Sequence, residues 1–285
     1  MNRVIALLVM GGALVTPAPL PVHLAFAILG IGVVGMVHGA GDLAVVAKPR
    51  RPAFLAAYGL ISLATLFWWI REPAVALPAF LVASAIHFGV EDAPCGPLAE
   101  RIARGVTLVL GPAALHHIGY AELLRLAGGS SSSLTELTPL AAITGGLSGA
   151  TLLLLACHRR DALLAMGVGA LLLFPPLVGF TIGFLVLHAL PQTRDRRDRL
   201  GCSSTTAYIK TVAPIFVAAI ILAGLVAGLL LHFDPSGVRG LFAGIAALAV
   251  PHLLVTPWFE ERMDSPELRH RIKSYPYCAS SNSLL

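Results

Sequence analysis

Charge is what this sequence has least of. Only 12% of its 285 residues are Asp, Glu, Lys or Arg, whereas soluble domains carry roughly 25%. With 56% hydrophobic residues and a mean hydropathy of +0.82, that shortage excludes an ordinary water-soluble core. It leaves a chain that crosses a lipid bilayer repeatedly. Polar–apolar alternation is missing as well. The hydrophobic runs are continuous, which excludes a β-barrel and leaves helices. Cysteine is scarce: Cys95, Cys157, Cys202 and Cys278 are scattered without a C-x-x-C pair, so their spacing supports neither a disulfide framework nor a zinc knuckle. No phosphate-cradling glycine loop, Rossmann fingerprint or Ser-His-Asp order is present. The net charge of +5 comes from basic residues between the apolar runs and at the C-terminus. That pattern orients a membrane protein and gives no reason to invoke nucleic acid as a partner.

Apolar runs fall at 4–17, 22–47, 53–70, 74–90, 102–119, 139–157, 161–174, 177–192, 207–231 and 239–257. The first reads as a span rather than a cleaved leader. Gly128 to Ser133 and the Arg/Asp-rich stretch after Gln192 read as solvated linkers. Nothing marks a separate soluble domain, so 1–285 reads as a single integral membrane domain. Pro175-Pro176 cut the stretch 161–192 in two. If that stretch crosses twice, Lys48, Arg50, Arg51, Arg101, Arg104, Arg159, Arg160, Arg194, Arg196, Arg197 and Arg199 share one side, and only Arg71, Arg125 and Arg239 lie opposite. A single crossing would export the densest basic loop. The positive-inside rule therefore predicts an all-α bundle of about ten transmembrane helices in the inner (plasma) membrane, with both termini cytoplasmic.

Four histidines lie inside these runs. His38 opens His38-Gly39-Ala40-Gly41-Asp42, His87 opens His87-Phe88-Gly89-Val90-Glu91-Asp92, and His188 and His252 sit late in two further runs. Ionisable groups within spanning segments need partners. On this topology His87, His188 and His252 lie four or five residues from the cytoplasmic helix ends, roughly 6–8 Å deep at 1.5 Å per residue, with His38 somewhat deeper. Imidazoles from several helices at one level make a metal site at the centre of a bundle. Neutral imidazole suits iron, copper, zinc or nickel. Ligating histidines usually give their second N–H to a carboxylate or carbonyl. Asp42 follows His38 by four residues and Glu91 stands in that relation to His87. Asp42 and Asp92 are the candidates for orienting the rings. His116-His117 lie toward the opposite end, where an interfacial role is expected. Phe67-Trp68-Trp69 and Trp258-Phe259 sit where aromatic belts form.

Taken in order, His38-Gly39-Ala40-Gly41-Asp42, His87-Phe88-Gly89 with Asp92, Arg104-Gly105…Pro112…His116, His188 and Pro251-His252 make the chain resemble the Brp/Blh family of bacterial and archaeal β-carotene 15,15′-dioxygenases. The likeness runs from about residue 30 to 257. It implies an integral membrane, non-haem iron enzyme that splits the central double bond of β-carotene with O2 into two molecules of retinal. It also implies Fe(2+) held by histidines on separate helices, including an H-x-x-x-H pair. His38, His87 and His188 match that pattern, but the second member of the pair is Gln192, a poorer donor than imidazole. Gln192, a water or His252 is left to complete the site. Phe88 and Phe184 are candidate polyene contacts, and a rhodopsin would be a natural recipient of the retinal. Two other readings stand beside this one. A metal-ion or proton-coupled transporter would spread polar groups along the whole path. A carotenoid- or retinal-binding relative without turnover is the reading that Gln192 keeps open.

Overall fold

The computed structural model describes residues 2–129, 136–233 and 236–259. Among them are eleven helices and no strand. In chain order these are α1 (Asn2–Val15), α2 (Leu20–Gly39), α3 (Lys48–Arg71), α4 (Pro73–Asp92), α5 (Leu98–Leu110), α6 (Ala113–Gly128), α7 (Thr138–Arg159), α8 (Ala162–Leu173), α9 (Pro176–Arg199), α10 (Thr205–Phe233) and α11 (Val238–Phe259). Seven of them, α2, α3, α4, α7, α9, α10 and α11, are long and apolar enough to cross a membrane. Much of the outer surface is apolar too: Leu60 is 70% exposed, Leu154 73% and Leu225 69%, a coat that suits hydrocarbon better than water.

The helices largely follow the apolar runs. The run 22–47 is helical only to Gly39, and residues 40–45 form turns, so Asp42 does not continue the helical face of His38. The run 102–119 breaks at Gly111-Pro112, where the ring and missing N–H of proline interrupt the ladder. Both halves, α5 and α6, pack on α7 and so make one kinked path. The stretch 161–192 is an antiparallel hairpin folded at Phe174-Pro175. Its legs touch closely: a Cβ on Gly167 would come within 2.5 Å of the Leu187 side chain, and one on Gly183 within 2.4 Å of Leu171.

Cross-links define the two ends of the bundle. At one end Arg50 donates to the Trp258 carbonyl (3.0 Å), and Arg101 donates to the carbonyls of Ala93 and Pro94. Glu100 accepts there from Arg104 (2.9 Å) and Arg159 (2.8 Å). Burial raises the Glu100 carboxyl, but the hydrogen bonds from Arg159 and Arg104 outweigh it and hold the group below its ordinary value. At the other end the Trp69 indole donates to the Ala127 carbonyl (3.4 Å). Trp69 is 1% exposed, so it is a packed core residue and not part of an aromatic belt. Cys95 is disulfide-bonded while Cys157 and Cys202 are free; no spacing in the sequence points to that bridge.

The innermost element is α9. In its apolar window 72% of residues are buried, against 6% for α10. A chemistry-bearing residue on α9 therefore has neighbours on every side, and His188 is one.

Candidate metal centre

Each of four helices contributes one imidazole near the basic end of the bundle. His38 sits in the last turn of α2, His87 five residues before the end of α4, His188 on α9 and His252 on α11. α9 runs eleven residues past His188 to Arg199, so the expected distance from the helix end does not hold there. Only the apolar part of α9 stops near the ring. The ring centroids lie 5.2 Å apart for His38 and His188, 5.7 Å for His38 and His252, 5.1 Å for His87 and His188, and 5.3 Å for His87 and His252. Rings sharing one ion through nitrogens at about 2.0–2.1 Å have centroids on the order of 5 Å apart. The rings are thus close enough to share an ion, although the donor atoms that lie within 4.8 Å of one another are those of His87, Glu91 and His188.

The backbone is irregular where two of these rings are set. Ile28–Gly35, just before His38, and Leu185–Ala189, which contains His188, are π-helical. Such bulges re-aim side chains and recur at functional sites. Pro191, two residues after the second, lacks the N–H an α-helix would use.

In three of the four rings Nδ1 is hydrogen-bonded to an acceptor. His38 Nδ1 donates to the Gly35 carbonyl (2.5 Å), His188 Nδ1 to Asp92 (2.8 Å) and His252 Nδ1 to Asp42 (2.5 Å). Carboxylates and carbonyls only accept here, so each Nδ1 carries the hydrogen, and a neutral ring then keeps its lone pair on Nε2. His87 Nδ1 lies 3.6 Å from Glu91. The Asp42 Oδ2 that serves His252 also accepts from the Thr256 hydroxyl (3.1 Å), and Oδ1 is 3.3 Å from the Arg196 guanidinium.

Sequence proximity misassigns one of these partners. Asp42 orients His252, 210 residues away, and not His38, because the turns after Gly39 carry it off the α2 face. Glu91, the i+4 partner of His87, stands beside that ring in place of a hydrogen-bonded aspartate. One ligand atom from each of His87, Glu91 and His188 lies within 4.8 Å of the other two. Arg196, Thr256 and the Gly35 carbonyl carried no signal in the sequence. Gln192 is partly exposed and makes no hydrogen bond to a ring among the described residues. Phe88 and Phe184 both abut the cluster, with centroids 4.8 Å and 5.4 Å from His188. Phe180 stacks on Phe184 at 5.9 Å. His116 and His117, with His23, line a cavity of about 470 Å³ at the opposite end, far from the four rings along α9.

These residues fit a bound cation. His252 Nε2 is buried without a hydrogen-bond partner among the described residues, an expensive condition for a lone pair that nothing occupies. Three carboxylates touch the rings and Arg196 touches one of them, so the local field favours positive charge. Neutral imidazoles with carboxylates behind them are the donor set of a borderline divalent metal.

The model of one family, beta-carotene 15,15′-dioxygenase, matches residues 29–260. The chain belongs to this family. The match spans all four histidines, all three carboxylates and Arg196. No curated protein and no solved structure matches the chain. Membership makes it a dioxygenase-family protein.

Proposed function

We propose that this protein cleaves β-carotene or a related carotenoid at its central double bond with O2, giving retinal, inside the plasma membrane. One molecule of O2 across one C=C bond yields two aldehydes, so atoms balance without a further reductant. The observation that carries the reading is the ring of four imidazoles, 5.1–5.7 Å apart, each from a different helix.

His38, His87, His188 and His252 would hold the metal, taken as Fe(2+), with Gln192 left outside the set. Bound there, iron(II) supplies the activation of O2 that carotenoid cleavage needs. Asp42, Asp92 and the Gly35 carbonyl fix three rings in the tautomer that presents Nε2, and Glu91 stands beside the fourth. Phe88 and Phe184 form an apolar wall against His188 that suits a polyene and keeps water from the reacting carbons. A substrate already dissolved in lipid can enter between helices. In this arrangement both termini are cytoplasmic and the metal lies nearer the inner leaflet. A rhodopsin is a natural recipient of the product.

The test is expression in cells that accumulate β-carotene. Loss of orange colour with retinal in the extract is the expected outcome. Colour that persists despite abundant membrane-inserted protein would refute cleavage, and pigment co-purifying with it would mark a binding protein. Pigment-independent metal uptake by intact cells would favour transport.

A further inference from the structure

We infer that Arg196 is a positioning residue for the metal centre, acting through Asp42 on His252. The inference rests on the metal reading proposed above and deepens it, because it says how this chain completes a site in which residue 192 is glutamine.

The fourth imidazole comes from α11, and its orientation depends on one carboxylate. Asp42 Oδ2 takes both the His252 Nδ1–H (2.5 Å) and the Thr256 hydroxyl (3.1 Å). Asp42 itself is carried by the turns after α2, so no regular helix sets the direction of its side chain. What meets its other oxygen is Arg196, with Nη2 3.3 Å from Oδ1, in an ion pair whose side chains are 8% and 2% exposed. Arg196 lies eight residues beyond His188 on the innermost helix. That helix therefore supplies one ring directly and sets a second through Arg196 and Asp42. A carboxylate buried at this depth is held in place by its cation. Without the guanidinium, nothing among the described residues holds Oδ1 and Asp42 turns away, so the His252 ring loses the acceptor that fixes its tautomer. Loss of partners behind metal ligands typically weakens binding by about 10–100-fold; acting one step further back, Arg196 belongs at the lower end.

The experiment uses the full-length protein in detergent and Co2+ as a visible stand-in for iron, read by its absorption spectrum and by titration. The set is wild type, R196Q, R196K, D42N and D42N/R196Q, each checked by circular dichroism without metal. R196Q is expected to weaken Co2+ binding about tenfold and to change the Co2+ spectrum, with R196K recovering part of both. If Arg196 works through Asp42, the double variant binds no more weakly than D42N alone. Unchanged affinity and spectrum in R196Q, or a loss that adds in full to that of D42N, overturns the inference. Should R196Q not accumulate as folded protein, R196K decides: an affinity equal to wild type overturns the inference, and a several-fold loss that vanishes in the D42N background supports it. A wild-type protein that binds no Co2+ brings down the metal reading itself, an outcome distinct from the others.

Discussion

His252 and Gln192 are the pair of residues on which the composition of the site turns. The His252 ring lies 5.3 Å from His87 and 5.7 Å from His38, and its Nε2 is buried and unpaired among the described residues. Gln192 is one turn past His188 but is partly exposed. H252A is therefore expected to abolish stoichiometric metal retention, measured by elemental analysis of the purified protein. Q192H should leave the metal content at one per chain; a collapse would put residue 192 in the site. Asp92 holds His188 Nδ1 at 2.8 Å, so D92N should lower metal affinity about 10–100-fold, read by competition with a chelator. A D92N protein that binds as tightly as wild type would remove Asp92 from any orienting role.

Close helix packing brings these residues within reach of one another. Gly105 on α5 lies against α4 so tightly that a Cβ would come within 1.9 Å of the Ala85 carbonyl oxygen. α4 carries His87, Glu91 and Asp92, so that contact sets the height of three site groups. G105V should destabilise the protein by about 1–3 kcal/mol through overpacking and loosen metal binding with it, seen as a lower thermal midpoint in detergent. Glu100, clamped between Arg104 and Arg159, ties α5 to α7. Its folded carboxyl is held below the ordinary value once the arginine hydrogen bonds have outweighed burial. The stabilisation is therefore present above the ordinary carboxylate pKa and is lost as pH falls through the lowered folded one. The wild-type midpoint should drop below about pH 4, whereas E100Q should start lower, by about 1 kcal/mol for a partly exposed pair, and lack that acid limb. Parallel acid profiles for the two proteins would show that the clamp contributes nothing.

The distribution of polarity over the whole molecule separates the enzyme reading from the transporter reading. The four rings, three carboxylates and Arg196 gather at the end where Arg50, Arg101, Arg104 and Arg159 make their cross-links. A conduction path would carry polar groups through to the other end. There His116 and His117 line a separate cavity, and the His116 ring is 3.0 Å from the Leu173 carbonyl. On the proposed topology, with α5 and α6 as one kinked path and α8–α9 as a hairpin, the chain crosses ten times and both termini lie on the basic side. A reporter enzyme active only outside the cytoplasm should stay silent when fused after residue 200 and become active when fused after residue 129. The reverse pattern would invert the topology and put the metal centre near the outer leaflet.

Continuous apolar runs and the paucity of charge were enough to determine a helical bundle, because a chain with so few polar side chains must satisfy its backbone internally. The same logic singled out His38, His87, His188 and His252, since polar groups inside apolar helices need a reason to be there. Tertiary structure decided which carboxylate serves which ring. Asp42 was legible only as a neighbour of His38; the turns after Gly39 and the packing of α11 hand it to His252, a pairing across 210 residues that helical spacing cannot encode. Arg196 looked like one more charge in a solvated basic stretch. It became part of the site because α9 stays helical beyond its apolar segment and carries the guanidinium back to Asp42.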